Sequence, residues 1–262
     1  MTAPTAPAPL RAFHADALEV RIHEQQPAMA RDAAHQARDF LRETITRQGE
    51  ASMILAAANS QIQFLDAVVS LGGVDWSRVT CFHMDEYLGI DPGHPASFRR
   101  FMRDRVQARL RPGRFHYLEG DAQEPLSECR RYAGLLTQKQ VDLCCLGIGE
   151  NGHIAFNDPP VADFEDPRRV KIVKLDEACR QQQVGEGHFP NLHAVPQYAL
   201  TLTIPMLCDV RRMLCIVPEA RKAQAVRDTI EGPIDTACPA SWLRHQSHCT
   251  LFLDGESASQ LA

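Results

Sequence analysis

Residues 141–160 read VDLCCLGIGENGHIAFNDPP. A mostly apolar run of strand length passes directly into glycines at 147, 149 and 152. The segment then closes on Asn157-Asp158-Pro159-Pro160. A short apolar run bounded by turn residues is the pattern of a strand buried on both faces. Strands of that kind form parallel sheets covered by helices, and ligands sit beyond their carboxyl ends. The stretch therefore predicts a β/α sheet with chemistry in the loops that follow its strands.

The flanking sequence repeats the pattern. ALEVRI (17–22), SMILAA (52–57), RVTCFH (78–83), VKIVKL (170–175), ALTLTI (199–204), RMLCIV (212–217) and HCTLFL (248–253) read as strands. Between them, amphipathic spacing predicts helices over 27–48, from Ser60 to Gly72-Gly73, over 95–110 opening at Pro95, over 125–139, briefly before residue 210, and over 219–230. The alternation predicts an α/β fold with a doubly wound, mostly parallel sheet and helices on both faces, a Rossmann-like three-layer α/β/α arrangement. Residues 1–15 are expected to form a flexible or extended N-terminal tail. Residues 16–262 are expected to form one domain, with no internal repeat or linker.

Composition narrows the function. The 262 residues carry 28 Lys plus Arg against 33 Asp plus Glu, a formal net charge of −5. No global basic field would recruit nucleic acid, so an anionic ligand must be held by a local site. Nowhere is there an apolar stretch of the roughly 18 residues that a membrane helix needs. The opening MTAPTAPAPLRAF lacks the basic and apolar regions of a secretory signal. The nine cysteines show no C-x-x-C pair and fall largely in apolar runs, so reduced, buried thiols in a cytoplasmic protein are expected.

Four loops carry candidate chemistry. FHMDEY (82–87) leaves a strand end with Asp85 and Glu86, and a carboxylate there can serve as a general base. In 147–160, Gly147, Gly149 and Gly152 spell G-x-G-x-x-G, but Pro159 and Pro160 stop any helix, which argues against dinucleotide binding. Asn151, His153 and Asp158 are the informative residues of this loop. Histidine suits proton transfer near neutral pH, and a carboxylate can orient its ring. AAANSQ (56–61) presents Asn59 and Ser60 at a helix start, where anions bind. PEARK (218–222) puts Lys222 near a helix start, where the dipole disfavours a cation unless an anion joins it. His245-Gln246-Ser247-His248 reads as surface, and His188 and His193 have no assignment. No metal-ligand spacing and no G-x-S-x-G nucleophile are present.

Taken together, MDEY (84–87), HPASF (94–98), GIGENGHIAFNDP (147–159), VPQYALTLTIPML (195–207), RKAQAV (221–226) and IEGPI (230–234) resemble the glucosamine-6-phosphate deaminase family, which shares its fold with 6-phosphogluconolactonases. The lactonase branch resembles GHTASLFP where this chain has GHIAFNDP, which favours the deaminase branch. The resemblance implies an isomerising, hydrolytic deaminase that converts glucosamine 6-phosphate, or a close amino-sugar phosphate, to fructose 6-phosphate and ammonia without metal or redox cofactor. It also makes a homo-oligomer one assembly to expect. By resemblance, Asp85 is the base moving a proton between C2 and C1, and His153 assists ring opening. Asn151 and Asp158 support the histidine at positions that usually carry Asp and Glu, and Lys222 contacts the phosphate. Ser60, Asn59 and Glu86 are expected on the substrate.

The chain departs from the family's pattern at the phosphate. Ala57-Ala58-Asn59-Ser60-Gln61 stands where the family resembles T-G-S-T-P. In the family's T-R-x-A-N-x-R segment, Arg180 matches the first arginine, but Gly185 falls where the phosphate-binding one belongs. A different amino sugar, a sugar-phosphate sensor without catalysis, or a 6-phosphogluconolactonase are the other readings.

Overall fold

The computed structural model describes residues 5–262. Its main sheet contains β1 (Arg11–Ala15), β2 (Leu18–Ile22), β3 (Ala51–Leu55), β4 (Val79–His83), β6 (Arg114–His116), β7 (Val141–Leu146), β10 (Val210–Val217) and β11 (Cys249–Leu253). Their spatial order is β1-β2-β11-β10-β7-β3-β4-β6. Only the β1–β2 pairing is antiparallel. From β3 the chain adds β4 and β6 outward on one side, then returns to lay β7, β10 and β11 on the other. The winding direction reverses between β3 and β7, and a crevice opens beyond their carboxyl ends.

Strand periodicity explains the continuous apolar runs. In β10, Leu214 and Ile216 enter one core cluster, while Met213, Cys215 and Val217 enter the other. In β7 the adjacent Cys144 and Cys145 likewise point to opposite faces. Both faces are covered, so both side-chain sets must be apolar. Helices α1 (Gln26–Gln48) and α2 (Ile62–Leu71) bury Ala33, Ala37, Leu41, Phe64 and Leu65 against one face. Helices α5 (Pro125–Leu136), α7 (Ile204–Cys208) and α8 (Ala223–Glu231) bury Tyr132, Leu207 and Val226 against the other. All nine cysteines are free, and seven are buried. Among the described residues, no helix is long and apolar enough to cross a membrane.

Several expectations are corrected. The N-terminal tail is not wholly flexible. Residues 1–4 lie outside the described residues, but Arg11–Ala15 pairs with β2 from Arg11↔Ile22 to Ala15↔Leu18. The helix expected from Pro95 begins at Phe98 instead, with Ser97 accepting from the N–H of Arg100 at 3.3 Å. It runs as α3 (Phe98–Met102), a π turn over Arg103–Gln107, and α4 (Ala108–Leu110). The strands read at 170–175 and 199–204 are not in the main sheet. They form β8 (Val170–Lys174) and β9 (Tyr198–Leu202), which join β5 (Asp85–Tyr87) in a separate antiparallel sheet ordered β5-β9-β8. Residues 85–87, read as a loop, are therefore a strand. Helix α6 (Glu177–Gly185) and the short β6 were not anticipated.

Strand β1 is an edge of the sheet, and cross-strand pairs contribute about 0.2–1 kcal/mol each. Deleting residues 1–15 is expected to lower Tm by about 3–6 °C, given roughly 2–4 °C per kcal/mol for a domain of this size. An unchanged Tm by differential scanning fluorimetry would show β1 to be dispensable.

Candidate active site

The crevice at the sheet's carboxyl edge is a half-open cleft. Four loops of the main sheet contribute to it. Ala56, Ala57, Ala58 and Ser60 follow β3, Met84 and Asp85 follow β4, Gly147, Gly149 and His153 follow β7, and Arg221 and Lys222 follow β10. Gln182, Gln183, Glu186 and His188, from α6 and the residues after it, close the remaining side.

Asp85 stands where the chain leaves the parallel sheet for the antiparallel one. Met84 donates its N–H to Leu55 O at 3.2 Å and accepts from the N–H of Leu202 at 2.8 Å. Just before it, Tyr132 donates its hydroxyl to His83 O at 2.8 Å and accepts from the His83 N–H at 3.0 Å. Nε2 of His83 accepts from the Leu118 N–H at 2.8 Å, and burial takes that imidazole down to about 3, so it stays neutral. Asp85 itself is 7% exposed, lines the cleft and accepts no side-chain hydrogen bond among the described residues. Burial, and then the neighbouring charge of Glu86, holds its carboxyl well above the ordinary carboxylate range.

Glu86 does not reach the cleft. Its carboxylate accepts from the backbone N–H groups of Tyr87 (3.0 Å), Phe98 (3.1 Å) and Arg99 (2.8 Å), and from the Ser97 hydroxyl (2.8 Å). The acid thus caps the start of α3, where free N–H groups favour negative charge. The expected role on the substrate is replaced by one in the scaffold. Alternation along β5 is the reason, since adjacent residues of a strand face opposite ways.

His153 is held from behind. Its Nδ1 lies 2.7 Å from Asn151 Oδ1 and 3.0 Å from Asp158 Oδ1. Both are acceptors, so Nδ1 carries the proton and Nε2 keeps its lone pair. Asn151 also donates Nδ2–H to Asp158 Oδ1 at 3.1 Å. A carboxylate at 151 would set two like charges together there, whereas the amide both donates to Asp158 and accepts from His153. The short Asp158 reaches the ring directly, and its other oxygen accepts from the Asp176 N–H at 3.1 Å. Burial raises the Asp158 pKa, but hydrogen bonds from His153, Asn151 and Asp176 outweigh it and the net direction is down. The loop is pinned by Asn157, whose Nδ2 donates to Ile154 O and Leu202 O, both at 2.9 Å. The glycines fit the ring closely: a Cβ on Gly149 would lie 2.2–2.3 Å from the His153 imidazole.

Of the residues expected at a phosphate, the structure brings some into the cleft. Ser60 lines the cleft, but Asn59 does not. Gln61, buried, donates Nε2–H to Ile216 O at 3.1 Å and to Ser60 Oγ at 3.3 Å, tying the 56–61 loop to the end of β10. Lys222 is 3% exposed and lines the cleft, and burial lowers its pKa. Arg180 is outside, donating to Leu192 O and Val195 O. Gly185 does not line the cleft. Gln182, Gln183, Glu186 and His188 carry no sequence signal of a site, because the glutamine-rich α6 has little apolar periodicity. His245 is exposed, as its surface reading holds.

Among the described residues, one cluster has donors close enough for a metal: His153, Asp158 and Cys179 offer atoms within 4.8 Å of one another. Burial pushes the Cys179 thiol well up, and Nδ1 of His153 is already engaged. The set therefore offers no free Nδ1.

A doubly wound α/β protein with a buried carboxylate and an oriented histidine facing one cleft is the class these features define. Comparison with known proteins makes it specific. The family model described as glucosamine-6-phosphate isomerases/6-phosphogluconolactonase matches residues 24–252. A glucosamine-6-phosphate deaminase of Arthrobacter sp. (strain FB24) is 36% identical over 233 residues, 86% of this chain and 87% of the relative. Glucosamine-6-phosphate deaminase 2 of Bacillus subtilis (strain 168) is 33% identical over 230 residues, 85% of this chain and 90% of the relative. The solved structure of a monomeric glucosamine-6-phosphate deaminase superposes with a TM-score of 0.83 at 30% identity, covering 92% of this chain and 98% of that one. A 6-phosphogluconolactonase from Thermotoga maritima shares the fold, with a TM-score of 0.73 at 16% identity over 90% of this chain and 98% of its own. The chain belongs to the glucosamine-6-phosphate isomerase/6-phosphogluconolactonase family.

Two substitutions check these assignments. Gly149→Ala must displace the His153 ring, and kcat is expected to fall by about 100-fold, the scale of misplacing a catalytic group by an ångström. Glu86→Gln sets an N–H against donors that now meet a carboxylate, costing about 1–3 kcal/mol. Thermal melts should show a lower Tm with KM within a few-fold of wild type. A raised KM at unchanged Tm would return Glu86 to the substrate.

Proposed function

We propose that this chain catalyses an aldose–ketose isomerisation coupled to deamination of a 2-amino-2-deoxyhexose, glucosamine or its 6-phosphate, releasing ammonia and the ketose. The observation that carries this reading is the unpaired, buried carboxylate of Asp85 in the same cleft as a His153 whose Nδ1 is fixed. The homologues' names support the same reaction.

The chemistry follows from the groups. Opening a pyranose requires a proton to leave the anomeric hydroxyl and another to reach the ring oxygen. Nε2 of His153 accepts the first and, once protonated, delivers one to the ring oxygen, while Asp158 stabilises the transient imidazolium. The open-chain amino aldose then carries an acidic C2–H beside its carbonyl. Asp85 removes that proton and returns it to C1, which gives the ketose level with nitrogen at C2. Hydrolysis of the resulting imine releases ammonia. A raised carboxyl pKa brings the base closer to the pH at which it works. Asn151 and Asp158 act through His153 and are positioning residues.

Ammonia release by purified protein, followed by a coupled glutamate dehydrogenase assay, tests the reading. Asp85→Asn is expected to lower kcat by about 10³-fold or more, within the general-base range. Because Asp85 must be ionised to act, kcat/KM should fall as pH drops through its raised pKa. The acid limb should therefore lie above the ordinary Asp value of about 3.9. The linkage has the opposite consequence for stability. Between the unfolded and folded pKa values the native state binds more protons, so stability falls as pH rises through that window. Asp85→Asn should consequently raise Tm at pH 8 while abolishing turnover. Full turnover in that variant would refute the assignment.

A further inference from the structure

Arg221 and Lys222 follow β10, whereas Asp85 follows β4. Those strands are three apart across β7 and β3, about 14 Å at a spacing of about 4.8 Å. The two cations therefore stand at the end of the cleft away from Asp85.

That end is not an open cation site. Arg221 is paired with three carboxylates: Nη1 lies 2.8 Å from Glu186 and 3.2 Å from Glu150, and Nε lies 2.6 Å from Glu219. Glu219 takes this position with a backbone φ of 83°, a left-handed conformation that side chains other than glycine rarely adopt. Glu186 lines the cleft, and Gln182 donates Nε2–H to its Oε1 at 2.7 Å, while His188 Nε2 lies 3.3 Å from its Oε2. Burial would raise the Glu186 pKa, but the His188 and Gln182 hydrogen bonds and the Arg221 and Lys222 charges hold it at about 2, so it is ionised. Three carboxylates thus engage Arg221, and of these Glu186 lines the cleft beside Lys222.

Lys222 supplies an independent observation. Its side chain lines the cleft at 3% exposure, and among the described residues its ammonium enters no ion pair or hydrogen bond. A buried, unpartnered donor and an ionised acceptor therefore face the same end. A hydroxyl group satisfies both, since it accepts from an ammonium and donates to a carboxylate. A phosphate monoester carries about −1.5 to −2 at neutral pH and offers chiefly acceptors, so it satisfies Lys222 but meets Glu186 as a like charge.

The geometry points to a subsite for an uncharged hydroxymethyl terminus, with Glu186 as the residue that selects it, so that the substrate is an unphosphorylated amino sugar. This assignment rests on the deaminase reading above. It narrows the substrate to a hexosamine of the glucosamine type, free at the carbon that bears phosphate in the relatives' named substrate.

Initial rates with glucosamine and glucosamine 6-phosphate, combined with calorimetric binding of fructose and fructose 6-phosphate to the same protein, test it. The unphosphorylated sugars are expected to show the higher kcat/KM and the lower Kd, each by tenfold or more. Glu186→Gln, which removes the like charge, should shrink both ratios by at least tenfold. A wild-type preference for the phosphorylated sugars in kcat/KM and Kd overturns the assignment. So does a Glu186→Gln variant with wild-type Tm whose ratios are unaltered. If neither sugar yields ammonia yet fructose binds tenfold or more tightly than its phosphate, the deaminase reading fails and the subsite stands. If nothing is turned over or bound, both fail.

Discussion

The peptide units of Leu202 hold the loops that carry Asp85 and His153 in one frame. The N–H of Leu202 donates to Met84 O at 2.8 Å, and its carbonyl accepts from Asn157 Nδ2 at 2.9 Å. Met84 precedes Asp85, and Asn157 lies four residues beyond His153. One residue of β9 thus spans from the β4 exit to the β7 exit, which belong to different strands of the main sheet. The neighbouring Thr201 repeats the link, since it is Asp85's cross-strand partner and its Oγ1 accepts from the Phe156 N–H at 3.1 Å. Buried backbone and amide groups that lost these partners would remain unsatisfied, so the small sheet cannot shift without cost. A carboxylate and an imidazole can work on one sugar only if their separation is fixed, and this antiparallel sheet fixes it.

That dependence also accounts for what was legible in the sequence. The central strands β3, β7, β10 and β11 are marked closely by their apolar runs, because burial on both faces leaves few polar positions to blur the pattern, whereas the edge strands β1 and β6 carry exposed polar residues and show no such run. Helix α1 is visible through its alanine spacing. The small sheet is different. In Asp85-Glu86-Tyr87, two of three residues are charged, and carboxylates read as turn residues. Their strand conformation comes from pairing with β9, a non-local partner that no window around residue 85 contains. Strand β8 shows the converse: VKIVKL announces a strand but cannot say which sheet receives it. Helix α6 is rich in glutamine and has only Val184 and Cys179 as clear apolar marks, so its periodicity is weak, and with it went Gln182, Glu186 and His188. The π turn over 103–107 has no sequence signal in this chain that we can name.

Neighbouring residues of like chemistry show how far residue type can carry a functional assignment. Asp85 and Glu86 are consecutive carboxylates, both buried, both with pKa values raised by burial. Glu86 accepts four hydrogen bonds and organises the start of α3, whereas Asp85 accepts none from the described side chains and faces the cleft. The strand's period of two makes that division unavoidable: if one side chain faces the ligand, its neighbour faces the scaffold. The scaffold carboxylate still matters to the chemistry, because its charge adds to the burial that raises the Asp85 pKa.

The overall charge of −5 says little about ligand preference, because charge acts through the few groups that line the cleft. Arg221 and Lys222 alone would make its far end an anion site. Glu150, Glu186 and Glu219 pair with Arg221 and offset its charge, and of the three Glu186 lines the cleft. The arginine becomes the hub that holds three acids in place, and the lysine is left as a donor. Departures from the family's pattern at 57–61 and at Gly185, read singly, are losses of phosphate contacts. Set beside Glu186, they leave Ser60 and Lys222 as the cleft groups that match the family's pattern there, next to a fixed negative charge.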